Sequence, residues 1–186
     1  MPSNYQDLSL FKVPGDFRGR SAFIVQLWWF VSATLFKFSP QFAYGWRRML
    51  LRMFGAKIGK GVIVRPTARI TYPWKLSIGD FSWVGDHVEL YTLGEISIGR
   101  NSVVSQRSYL CTGSHDLKSL SFDIYQQPIV IEDEVWIATD VFVAPGVTIG
   151  TGTVIGARSS IFKDVQGGVI YMEKRAVVTK ARSENG

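Results

Sequence analysis

The sequence predicts a mainly β protein: a parallel β-helix of about five triangular coils, preceded by an apolar, helical N-terminal segment. Three observations carry that prediction. First, "VWIATDVFVAPGVTIGTGTVIG" (Val135 to Gly156) sets Ile137, Val143, Ile149 and Ile155 six residues apart. Helices repeat every 3.6 residues and strands every 2.0, so neither explains a period of six. Second, counting sixes through the chain finds fifteen aliphatic positions in five groups of three: Ile58, Val64, Ile70; Ile78, Val84, Leu90; Ile98, Val104, Leu110; Ile131, Ile137, Val143; Ile149, Ile155, Ile161. Third, four residues beyond these positions the side chain is usually small or β-branched, as at Ser82, Ser102, Ser108, Thr153 and Ser159. A solenoid needs this pattern: the aliphatic residue points into a three-sided prism, and the small one fits the corner. Glycine often follows the aliphatic residue (Gly59, Gly79, Gly85, Gly99, Gly150, Gly156) and is expected to relieve backbone strain at the turns. A β-sandwich would show period-2 alternation and turn signals every 8–12 residues instead.

The elements follow in order. Residues 1–20 are polar, with Pro14, Gly15 and Gly19, and read as an irregular arm. Ser21 to Phe36 carries no charge and suits a helix, but is shorter than the ~20 apolar residues a membrane-spanning helix needs. Pro40 interrupts, and a second helical piece is expected from about Gln41 to Met53. Three readings of residues 21–54 stay open: helices packed on the main domain or a partner subunit, an interfacial anchor, or a true span. The anchor would set Trp28, Trp29 and Trp46 near headgroups and Arg47, Arg48 and Arg52 against anionic lipid. The organisation is therefore an arm and apolar segment (1–54), a β-helix (55–165) and a C-terminal tail (166–186). The register slips by two residues between Ile70 and Ile78 and between Leu90 and Ile98. The largest excursion, 111–128, removes "CTGSHDLKSLSFDIYQQP" from the repeat.

Composition narrows the function. The net charge is +6, and residues 1–60, with nine Lys/Arg against Asp7 and Asp16, carry +7 while the rest carries −1. Those basic residues are mixed with bulky apolar ones rather than lining a groove, which argues against nucleic acid. One cysteine, Cys111, excludes an internal disulfide and fits a reducing compartment. A zinc enzyme on such a prism would need three histidines, and only His87 and His115 exist. No secretory signal is visible.

The hexads resemble those of the hexapeptide-repeat acyltransferases, over roughly residues 55–182. "QLWWFVSATLFKFSPQFAYGWRRMLLRMFGAKIGKGV", "YPWKLSIGDFSWVG" and "YLCTGSHD" resemble the colanic-acid-type (WcaF-like) sugar O-acetyltransferases in particular. The resemblance implies a left-handed β-helix, a homotrimer, acetyl-CoA as co-substrate without a metal, and a saccharide or lipid-linked saccharide acceptor in surface-polysaccharide biosynthesis. It implies a cytoplasmic protein, with the apolar segment at the inner membrane face if it contacts lipid. A non-catalytic scaffold or a metal-dependent, carbonic anhydrase-like protein on the same prism is the alternative.

Transfer of an acetyl group to a hydroxyl needs a base, and a neutral imidazole suits that task. "TGSH" makes His115 the catalytic histidine by resemblance. Asp116, Glu89 or a backbone carbonyl is expected to orient it. For the co-substrate, the resemblance points to Trp136 along the pantetheine, backbone groups of Ala138 and Thr139 on its amides, Ala157 and Arg158 at the next turn, and Lys163 and Lys180 near the nucleotide phosphate. Trp83, Tyr91 and Tyr109 are the candidate acceptor-lining aromatics. Two departures stand out: Tyr91-Thr92 where relatives have Asp-Asn, and "EKRA" (Glu173 to Ala176) where they have "GNPA". Cys111 is expected to be a small, partly buried residue rather than an acyl carrier.

Overall fold

The computed structural model describes residues 5–172. The hexads stack as expected, forming three flat faces. Ile58, Ile78, Ile98, Ile131 and Ile149 line the inside of the first face. Val64, Val84, Val104, Ile137 and Ile155 line the second. Ile70, Leu90, Leu110, Val143 and Ile161 line the third. All fifteen are buried, and burial of each such side chain is worth about 1.5–3 kcal/mol. The strands are two or three residues long because each has only one side of a triangle to cross. Every strand pair between coils is parallel. One more strand, Ile170–Tyr171, pairs with Val154–Ile155, so a sixth coil begins within the C-terminal stretch.

The corners show why the small residues are needed. Buried Ser82 donates to the Gly99 carbonyl (2.6 Å) and accepts from the Ser102 N–H (2.9 Å). Ser102 repeats this one coil up, donating to the Glu132 carbonyl (2.7 Å) and accepting from the Val135 N–H (3.1 Å). The relay stops at Val135, which has no hydroxyl. The expected role of the glycines needs correcting. None of Gly59, Gly79, Gly85, Gly99, Gly150 and Gly156 has positive φ. They are required for space: a Cβ on Gly79 would lie 2.6 Å from the Arg100 nitrogen of the next coil. The left-handed conformation falls two residues later, at Gly61, Phe81, His87, Asn101, Arg107, Glu134, Asp140, Gly146, Gly152 and Arg158.

The N-terminal segment forms α1 (Ala22–Val31), which runs on through a wider π turn (Ser32–Phe36), and α2 (Tyr44–Met53). No helix among the described residues is long and apolar enough to cross a membrane. The pair closes the open end of the prism. In a parallel ladder, alternate residues of a strand bond to opposite neighbours. Gly59, Arg65 and Thr71 donate upward to the second coil, so the carbonyls of Ile58, Val64 and Ile70 point out of the open end. Each receives a side-chain donor. Arg52 reaches the Ile58 carbonyl (2.6 Å), Arg47 the Val64 carbonyl (2.6 Å) and Trp28 the Ile70 carbonyl (2.9 Å). Arg48 adds a bond to the Val62 carbonyl (2.9 Å). The roles expected of four residues are corrected here: these three arginines serve the prism, and Trp28 is buried rather than at a headgroup.

Arg47 is wholly buried and also bonds Ser39, Pro40 and Gln41. Losing it strands several acceptors at about 1–3 kcal/mol per buried group. Arg47→Met is therefore expected to lower unfolding free energy by about 3 kcal/mol or more, while the exposed Lys60→Met stays within about 0.5 kcal/mol. Urea denaturation of the purified variants measures both.

Candidate active site

All three register slips leave the prism at one corner, between the third face and the first. Pro73–Lys75 forms a short 3-10 turn there, Thr92 to Glu95 bulges above it, and 111–128 leaves as a hairpin. In the hairpin, Gly113–His115 pairs antiparallel with Ile124–Gln126. Two buried threonines staple the three excursions together. Thr92 accepts from the Tyr72 N–H (2.6 Å) and donates to the Tyr72 carbonyl (3.0 Å). Thr112 accepts from the Gly94 N–H (2.7 Å) and donates to the Tyr91 carbonyl (2.6 Å). Thr92, noted above as a departure, is thus part of the frame.

His115 ends the outgoing strand of the hairpin. Its Nδ1 lies 2.8 Å from the Phe122 carbonyl oxygen. A carbonyl only accepts, so Nδ1 carries the proton and Nε2 keeps its lone pair. The ring stacks on Phe122 (centroids 4.1 Å apart, planes 9° apart) and meets Phe11 at 6.0 Å, tilted by 53°. Phe122 holds a left-handed backbone (φ 53°) in the turn that brings its carbonyl there. Of the candidate orienting groups, the structure places the backbone carbonyl on Nδ1. The Asp116 carboxylate accepts instead from the Lys118 N–H (2.8 Å). Glu89 lies on the outer side of the third face, at a cavity of about 460 Å³ that is also lined by Trp28, Trp29, Lys37, Arg69 and His87. Nothing in the sequence marks Phe122 as the partner, because any residue type carries a carbonyl.

Tyr91 and Tyr109 stand together on the third face (6.1 Å, edge to face), beside the root of the hairpin. Burial, reinforced by Cys111 and Glu89, pushes the Tyr109 phenol well above its usual range, so it remains a hydrogen-bond donor. Buried Cys111 directs its thiol to the Gly113 carbonyl (3.2 Å), as expected of a packed residue. Trp83 is elsewhere, exposed on the second face.

The residues assigned to the co-substrate lie away from His115. Trp136 projects from the second face and donates to Ser105 (3.1 Å). Ala138, Thr139, Ala157 and Arg158 form the corner between the second and third faces. The Ala138 N–H donates to the Ile155 carbonyl and its own carbonyl accepts from Ser108. Its N–H is therefore taken up within the ladder. Thr139 donates its hydroxyl to the Gln106 carbonyl (2.9 Å). Arg158 flanks Asp140 at 3.7 Å, a carboxylate already held by both ends of Arg107. Lys163 is exposed beyond the third face of the fifth coil. Lys180, Arg182 and Glu173 to Ala176 lie outside the described residues. Within one chain the histidine occupies one corner, and Trp136 occupies the face across the prism from it.

A parallel hexad prism carrying one histidine hairpin defines a hexapeptide transferase, and residues 128–163 match the family described as bacterial transferase hexapeptide (six repeats). A protein of Escherichia coli (strain K12) described as a colanic acid biosynthesis acetyltransferase, WcaF, is 63% identical over 179 residues, covering 96% of this chain and 98% of that one. Among solved structures, a maltose O-acetyltransferase from Clostridium difficile 630 superposes with TM-score 0.75 at 25% identity, covering 82% of this chain and 84% of that one. A hexapeptide-repeat acetyltransferase from Vibrio cholerae complexed with acetyl coenzyme A shares the fold, with TM-score 0.74 at 23% identity, covering 89% of this chain and 92% of that one. The chain belongs to the WcaF-type acetyltransferases of the hexapeptide-repeat family.

Because a backbone carbonyl holds Nδ1, Asp116→Asn is expected to keep kcat within about threefold of the parent, far from the 10²–10⁴-fold effect of losing a general base. Steady-state release of CoA thiol from acetyl-CoA checks this.

Proposed function

We propose that this protein transfers acetyl from acetyl-CoA to a sugar hydroxyl in surface-polysaccharide biosynthesis, with His115 as general base. The observation that carries the reading is the imidazole itself: its Nδ1 proton is fixed on the Phe122 carbonyl and its Nε2 is left able to accept. The hydroxyl gives its proton to Nε2 as its oxygen attacks the thioester carbonyl. The tetrahedral intermediate collapses, the C–S bond breaks, and the imidazolium returns the proton to the departing CoA sulfur. Alignment of the two substrates supplies much of the rate.

The reading includes a homotrimer. In one chain His115 and Trp136 lie on opposite sides of the prism. The outer row of the second face is apolar throughout, running Ile63, Trp83, Val103, Trp136, Val154 and Ile170. Apposition of that face to the histidine corner of a neighbour would complete the site between subunits and cover the row. The acceptor is a saccharide, lipid-linked in the fuller version. That version rests on α1, α2 and the stretch that joins them, which expose Phe23, Phe30, Phe38, Phe42 and Met53, with Lys37 over the Phe38 ring. It sets this surface against the cytoplasmic membrane leaflet, where the bulky apolar groups enter the interface.

His115→Gln is expected to lower kcat by about 10²–10⁴-fold, read by mass spectrometry of a saccharide mixture for acetylated products. Full retention of turnover would refute His115 as the base, and no acetylated product from the parent would leave the scaffold reading. Phe38→Glu with Phe42→Glu is expected to abolish co-sedimentation with anionic vesicles and leave turnover on soluble sugars unchanged. Binding that survives the double change would refute the membrane surface.

A further inference from the structure

We infer that the N-terminal arm, residues 7–17, is a strap that positions His115, with Lys75 as its buckle. The inference rests on the catalytic reading of His115 but draws on other residues. The arm meets the hairpin or its root at Asp7, Phe11 and Phe17. The Asp7 N–H donates to the Leu120 carbonyl (2.7 Å) in the hairpin turn. Asp7 also caps the short turn Leu8–Leu10 through the Ser9 N–H (3.0 Å), which sets the chain's direction into Phe11. Phe11 then meets the His115 ring at a tilt of 53°, so the imidazole is in ring contact with both Phe122 of its own loop and Phe11 of the arm. Phe17 is buried in a small second core with Val25, Tyr72 and Leu93, against which Ile124 of the hairpin packs.

Lys75 joins the three segments that must stay in register. Its ammonium donates to the Phe17 carbonyl of the arm (2.8 Å), to the Leu93 carbonyl of the middle excursion, and to Gln126 Oε1 of the hairpin (3.0 Å). It also lies over the rings of Phe17 and Tyr72. An ammonium has three protons, and each is directed to a different segment. Trp74 next to it donates to the Arg18 carbonyl (2.7 Å), holding the end of the arm on the same corner.

The consequence concerns the imidazole proton. A two-stranded hairpin has little stability of its own. Without the strap, the turn 116–123 is free to shift, the Phe122 carbonyl leaves Nδ1, and the proton distributes over both ring nitrogens. The fraction of His115 with a free Nε2 lone pair then falls, and with it kcat rather than the KM for acetyl-CoA. Lys75 and Phe11 are positioning residues in this account.

The chain has two histidines, so long-range proton–nitrogen NMR resolves both, with His87→Gln assigning them. The parent is expected to show His115 protonated on Nδ1 alone. Lys75→Met and Phe11→Ala should each show a mixture of tautomers. Each should also lower kcat about tenfold, with the KM for acetyl-CoA within about twofold. Lys75→Arg should restore both. Turnover is read as thiol release from acetyl-CoA with a mixture of mono- and disaccharides, and the melting temperature of each variant is recorded alongside. If both Lys75→Met and Phe11→Ala keep the single Nδ1 tautomer, the strap is refuted, whatever the activity. If His115→Gln retains full turnover, the catalytic reading fails instead, and the tautomer shift still decides whether the arm holds the ring.

Discussion

A parallel ladder cannot end by itself. Each coil satisfies half of its outward-pointing backbone groups from above and half from below, so the first coil leaves carbonyls with nothing beneath them. Buried unpaired acceptors are costly, and the fold depends on supplying donors at that end. α1 and α2 do so with Trp28, Arg47, Arg48 and Arg52. Arginine and tryptophan suit the task because both donate and neither side chain accepts. The apolar segment is therefore a lid on the prism first. Whatever else its outer surface does, its inner surface fixes the register from which every later coil is counted.

That register explains how much of the fold could be read from the sequence. A hexad aliphatic has one possible destination, the inside of the prism, so Ile58 through Ile161 were legible one by one. The destination of Arg47 was not. In sequence it is one of three basic residues in an apolar helix, and that pattern suits a lipid headgroup as well as a buried carbonyl. The glycines were legible as necessary but not for the right reason. Composition shows where a side chain is missing, and only the coil above shows whether backbone geometry or space required it.

The candidate site divides in the same way. His115 stood out because it falls in the one long excursion, and it is found at the corner where all three excursions meet. Its partner did not stand out, because the Phe122 carbonyl is invisible in a list of side chains. Phe11 and Lys75 were hidden for another reason: they are distant in sequence and become neighbours of the hairpin only after the prism has formed. The residues assigned to the co-substrate by resemblance are spread over another face and corner. Interfaces between copies leave no periodic trace in one sequence, so the expectation of a homotrimer came from resemblance alone.

The corners carry a last consequence, for how such a protein diversifies. Phe81, His87, Asn101, Arg107, Glu134, Asp140 and Arg158 all hold left-handed backbone with ordinary side chains. Each accepts a local penalty of about 1–2 kcal/mol, which the ladder on either side outweighs. Identity at these points is thus nearly uncoupled from the interior. Drift can rewrite the surface chemistry of the edges, one vertex at a time, while the buried stacks remain as they are.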